Sequence, residues 1–171
     1  MKLLGLLGWS GSGKTHLLTR LIPLFAARGL SVSTVKHAHH GFDLDQPGKD
    51  SFAHREAGAR EVLIASAARW ALMHEVSGPE PDLLALVARM APVDLVLVEG
   101  FKAGAHPKIE VYRPSLGLAP FWPERGDVVA VATEPGADTG GLPWLDLSVP
   151  AAVADWVAGF LGFDDAVQPE A

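Results

Sequence analysis

Eight consecutive residues, Gly8-Trp9-Ser10-Gly11-Ser12-Gly13-Lys14-Thr15, follow the pattern G-x-x-x-x-G-K-[ST], and every fixed residue type in it suits a phosphate group. Glycines at 8, 11 and 13 let the backbone turn through unusual dihedrals and approach an anion closely. Amides at the start of a following helix converge on that anion along a favourable dipole. Lys14 supplies a point charge for the β- and γ-phosphates. The Thr15 hydroxyl is a ligand for magnesium, which keeps most of its waters and shares phosphate oxygens. The expected nucleotide-binding set is this whole motif with the adjoining His16.

A second motif runs Asp94-Leu95-Val96-Leu97-Val98-Glu99-Gly100, an apolar strand ending in an acid and a glycine. Glu99 falls at the carboxyl end of that strand, where phosphates would lie, and it is the candidate for holding the metal or positioning water. The alternative is a structural acid that caps the following loop. Asp94 opens the strand at the opposite edge and reads as a solvated turn residue. Lys14 and Glu99 are therefore the candidate catalytic residues.

Lys36-His37-Ala38-His39-His40-Gly41-Phe42-Asp43-Leu44-Asp45 follows the next strand and emerges on the same side. Three histidines within four residues invite a zinc reading, but a closed zinc site needs four ligands, and here there is neither cysteine nor a paired downstream motif. A solvated loop and a nucleotide-responsive loop are the other readings. Asp43, Asp45 and Asp50 could each reach magnesium, and spacing does not choose among them. The candidate metal set is Thr15, Asp50 and Glu99.

Hydrolysis needs a residue that positions water and a cation that stabilises the transition state, and neither stands out, so slow turnover is expected. The Asn-Lys-x-Asp motif that reads guanine in many phosphate-loop GTPases is absent. At the corresponding place Thr133-Glu134-Pro135 follows a late strand, where Glu134 either accepts hydrogen bonds from a guanine edge or is an exposed loop acid. Arg55, Arg60, Arg69, Arg113 and Arg125 are scattered along the chain. Of the five tryptophans, Trp9 and Trp122 fall in loops and could cover a ligand, though core packing is the simpler reading for all of them.

These residues need elements to hold them. Lys2–Leu7 is an apolar run fit for a buried strand, and residues 15–28 carry Leu17, Leu18, Leu21, Leu24 and Phe25 at helical spacing. Gly29 is a natural helix stop, and residues 31–35 resume as a β-branched strand. A short helix over 51–58, capped by Asp50 or Ser51, precedes strands at 61–65 and 70–74. Pro79-Glu80-Pro81-Asp82 opens a helix that Pro92 closes. Strands at 94–98, 108–112 and 128–132 follow, and the last helix covers 150–161. This alternation implies an α/β fold of three layers, the phosphate-loop NTPase architecture, with a mainly parallel sheet and helices on both faces. Its ligand site lies at the carboxyl ends of the strands.

The 171 residues suit one domain over 1–163 with a frayed tail at 164–171. A net charge of -6 argues against a nucleic-acid surface, and the absence of cysteine excludes disulfides and thiolate chemistry. No apolar stretch approaches the roughly 20 residues of a membrane span, and Gly8 to Lys14 interrupts the apolar start before a signal sequence could form. A cytoplasmic protein without a membrane partner is expected.

With these motifs in view, the chain resembles the molybdopterin-guanine dinucleotide biosynthesis adaptor family, MobB. The resemblance runs in order through Gly8 to Thr15, Val35-Lys36-His37 with His39-His40, Asp45 with Pro47-Gly48-Lys49-Asp50-Ser51, and Ala57-Gly58-Ala59. It continues through Arg69-Trp70-Ala71-Leu72-Met73, Asp94 to Lys102, and Lys108-Ile109-Glu110-Val111-Tyr112-Arg113. It implies a GTP- and magnesium-binding accessory protein with weak GTPase activity, a homodimer, working beside the guanylyltransferase that attaches GMP to molybdopterin. Molybdopterin or its guanine dinucleotide is a further implied ligand. The strands at 70–74 and 108–112 are the expected dimer interface. Where the family shows an aspartate after its late strand, this chain has Glu134. The competing reading is an autonomous ATP-dependent small-molecule kinase, which should carry an arginine-bearing lid and an acceptor pocket.

Overall fold

Two apolar strands, β1 (Lys2–Leu7) and β5 (Leu95–Glu99), lie side by side because neither can leave its side chains in water: Leu4, Leu6 and every residue from Leu95 to Val98 are buried. The computed structural model describes residues 1–38 and 42–163, so His39, His40 and the expected tail at 164–171 lie outside the described residues. The chain forms two compact units, one made of residues 1–37 and 83–171, the other of residues 38–82.

The larger unit is built on six parallel strands in the order β2-β5-β1-β6-β7-β8, where β2 is Val32–Lys36, β6 Lys108–Val111, β7 Val128–Thr133 and β8 Trp144–Asp146. Alternate residues of β1 point to opposite faces. Leu4 and Leu6 meet Leu17, Leu21 and Phe25 from α1 (Lys14–Ala26) and Val153 and Val157 from α4 (Pro150–Leu161). Phe25 is wholly buried there, and truncating a core phenylalanine costs about 3–5 kcal/mol. On the other face Val96 and Val98 pack on Leu83 and Val87 of α3 (Leu83–Val87). Helices thus cover both faces of a parallel sheet, as expected.

Local departures from expectation have physical causes. Asp94 is no free turn residue: its Oδ2 accepts from the Ser31 amide at 2.8 Å and hydroxyl at 2.6 Å, clamping the starts of β2 and β5. Strand β6 cannot serve as a dimer interface, because all four of its residues are buried between β1 and β7. Strand β8 is an addition at the sheet edge.

In the smaller unit, β3 (Glu61–Ala65) and β4 (Trp70–His74) pair antiparallel in a sheet of their own. Only four residues join them, enough for a hairpin turn closed by Ser66 and Arg69 but too few for a parallel crossover. Helix α2 (Asp50–Glu56) precedes them. Its N-cap is Lys49, not Asp50 or Ser51, since the Ser51 hydroxyl turns back to Asp45 at 2.8 Å. Among the described residues, no helix is long and apolar enough to cross a membrane.

Candidate functional site

The loop between β1 and α1 closes tightly around its own backbone. Gly8 has φ 147°, and a Cβ there would lie 2.5 Å from the Val111 carbonyl and 2.7 Å from Ser12 Oγ, so only glycine fits. Gly13, at φ 101°, delivers the chain into the helix. Half-buried Lys14 donates to the carbonyls of Gly8 at 2.9 Å and Trp9 at 2.8 Å, which folds its ammonium over the loop. Burial lowers the Lys14 pKa; Glu99 opposes that, and Lys102 and Lys36 add to it. Ser12 Oγ is buried and has no hydrogen-bond partner.

Glu99 comes to the loop from the end of β5. Thr15 Oγ1 donates to its two carboxylate oxygens at 2.9 and 3.1 Å, and Lys36 Nζ stands 3.7 Å from Oε1. Two of the three predicted metal-facing residues, Thr15 and Glu99, are therefore in direct contact. A hydroxyl beside a carboxylate is a hard-oxygen donor set of the kind magnesium takes. The turn that delivers Glu99 is tight: a Cβ on Gly100 would lie 2.7 Å from His37 Cβ, the His37 amide donates to the Glu99 carbonyl at 2.8 Å, and Phe101 adopts φ 48°. A left-handed bulky residue is strained, and such strain gathers at functional sites. The His37 ring lies 4.8 Å from that of Phe101.

Asp50 belongs to the smaller unit, where it opens α2. Asp43 and Asp45, the other acids considered for the metal, are engaged in the same unit. Arg55 holds Asp43 at 2.8 Å and keeps its carboxyl below the usual range, and Asp45 accepts from Ser51 and the Gln46 amide. Among the described residues, no group of three or more histidines or acids is placed to hold a metal ion.

Aromatic residues form the loop's outer wall. Trp9 stacks on Phe121 with ring centroids 4.7 Å apart and donates to the Ala119 carbonyl at 2.8 Å, and Lys102 Nζ lies over both rings at 5.3 and 5.1 Å. Glu110, buried on β6, pins this wall by accepting from the Phe121 and Trp122 amides at 2.9 Å each. Burial raises its pKa, against the pull of those amides. Behind it, buried Lys108 is paired with Asp127 at 2.6 Å, and Asp127 also receives Arg125. Those bonds outweigh burial and hold Asp127 at about 2. Burial, then Lys108, lowers the neighbouring His106 to about 4.

Two residues that look scattered in the sequence meet at the loop's other flank. Arg113, just past β6, donates from Nε to the Ser12 carbonyl at 3.0 Å and from Nη1 to Glu134 Oε1 at 2.7 Å. Both line a cleft of about 250 Å³ with Gly13, His16, Arg20 and Asp146. Sequence reasoning placed no cation other than Lys14 at the phosphate loop, and Arg113 reaches it as well. The available signal was its place two residues beyond a strand that ends beside the loop.

Comparison with known proteins follows the same lines. The family model for MobB, molybdopterin guanine dinucleotide synthesis protein B, matches residues 3–134. The molybdopterin-guanine dinucleotide biosynthesis adapter protein of Escherichia coli (strain K12) is 42% identical over 164 residues, covering 93% of each chain. The protein of that name from Haemophilus influenzae is also 42% identical, over 93% of this chain and 89% of its own. A crystal structure of molybdopterin-guanine biosynthesis protein B superposes with a TM-score of 0.72 at 27% identity, over 92% of this chain and 99% of the other.

Proposed function

The chain belongs to the MobB family, whose members are adapters in molybdopterin guanine dinucleotide biosynthesis, and on that footing we propose that it binds GTP and assists the guanylyltransferase of that pathway. An adapter acts through a partner in its pathway. The competing reading as an autonomous kinase finds no support, since the relatives carry the adapter name.

The observation that carries the nucleotide reading is the contact between Thr15 and Glu99, which joins the phosphate loop to the acid at the end of β5. In the proposed complex the loop amides from Gly8 to His16 receive the phosphates, and Lys14 leaves the carbonyls of Gly8 and Trp9 for the β- and γ-oxygens. Thr15 and Glu99 would hold a magnesium ion, which would supply neutralisation of phosphate charge there. Glu134 accepts from the guanine edge. Glu99 is the residue left to orient an attacking water, so turnover is slow. Homodimerisation, a cytoplasmic location and direct contact with the molybdopterin moiety complete the proposal on the strength of family membership.

Reconstitution tests it. Adding the protein with GTP and magnesium to guanylyltransferase and molybdopterin should raise the yield of guanylated cofactor, while the protein alone phosphorylates no small metabolite. An unchanged yield, or transfer of a γ-phosphate to a soluble acceptor, would overturn the adapter role.

A further inference from the structure

Arg113 touches both the phosphate loop and the acid beyond β7. Its guanidinium is planar and presents donors in a fixed fork. One arm is spent on a loop carbonyl, Ser12 O at 3.0 Å, and another on Glu134 Oε1 at 2.7 Å. Side-chain exposures of 36% and 47% leave both groups open to a ligand. Gly13 adds a third element: a Cβ built on it would sit 3.7 Å from Arg113 Nε and Nη2, so the missing side chain keeps the guanidinium accessible from the helix start. The cleft that these residues line adjoins the loop, where a nucleotide anchored by its phosphates would place its base.

Resting on the nucleotide reading above, we infer that Arg113 is a positioning residue for base selection: it fixes the Glu134 carboxylate through one lone pair of Oε1, so that the two oxygens together accept the paired donors of a guanine edge. Guanine presents N1–H and a 2-amino group side by side, both donors to a carboxylate. Adenine presents an acceptor at N1, and an ionised carboxylate has only acceptors to offer it. Such a mismatch discriminates more sharply than shape does, because it leaves polar groups unpaired. A free glutamate would lose rotamer freedom on each binding event, whereas Arg113 holds it in place beforehand. The same two bonds commit the guanidinium to Ser12 O and Glu134.

The test is titration of the full chain, wild type and Arg113→Ala, with GTP, ATP and tripolyphosphate in the presence of magnesium. Tripolyphosphate lacks a base, so it reads the loop alone and shows that the variant is folded. Arg113→Ala should reduce the preference for GTP over ATP by roughly tenfold or more, while tripolyphosphate affinity changes by less than about threefold. Glu134→Gln should do the same, and combining the two should add little, since they act as one unit. Arg113→Lys, with a charge but no fork, should restore only part of the preference. Equal losses for GTP, ATP and tripolyphosphate would show a cation acting on phosphate, and an unchanged preference would show no role in base selection; either overturns the inference. If the wild type itself prefers no base, the guanine reading fails beneath it, which is a different result.

Discussion

Glu99 receives the Thr15 hydroxyl at 2.9 Å, has Lys36 at 3.7 Å and is half-buried at the end of β5. A carboxylate so placed can exchange its hydroxyl partner for a shared metal ion, whereas an amide of the same shape carries no charge to do so. Glu99→Gln should therefore lower magnesium-dependent GTP turnover by roughly tenfold or more, with magnesium-free GDP binding within about threefold of wild type. Turnover assays and calorimetry on the same preparation separate the two; equal small effects would return Glu99 to a structural role. Lys14, Thr15 and Glu99 were legible in the sequence because a local motif or a strand end fixes where each must point. Arg113 was not, since its partners Ser12 and Glu134 lie 101 and 21 residues away and only the sheet order brings them together.

At the level of elements, long apolar runs and helical spacing were readable, and the main-sheet strands and α1 and α4 fall within one or two residues of expectation. What escaped was weakly patterned. Strand β8 has three residues and exposes Trp144, so burial leaves little trace in its composition. The pairing of β3 with β4 depends on the short turn between them, which apolar content does not reveal. That hairpin places Leu63, Trp70 and Leu72 on one face by its register, at 60%, 69% and 47% exposure. Exposed apolar patches of this kind mark association surfaces. A second copy of the chain is the proposed occupant, so sedimentation at tens of micromolar protein should show a dimer, and Trp70→Asp should shift it toward monomer. A wild-type monomer with and without nucleotide would refute that.

Across the whole molecule, the phosphate loop, Glu99 and Arg113 with Glu134 all belong to the larger unit and gather at the carboxyl ends of β1, β5, β6 and β7, the edge where parallel sheets hold ligands. The net charge of -6 makes the clustered Lys14, Lys36 and Lys102 a local exception suited to a small anion. Thermal unfolding with GTP, GDP, ATP and ADP in magnesium, for wild type and Lys14→Ala, addresses this most directly. A ligand at 100 times its dissociation constant adds about 2.7 kcal/mol, a rise of roughly 5 to 10 °C for a chain of this size. GTP should raise the wild-type midpoint by that amount and ATP by much less, with Lys14→Ala folded but unresponsive to either. An ATP shift equal to or larger than that of GTP, or an unchanged GTP shift in Lys14→Ala, would contradict guanine-nucleotide binding at this loop.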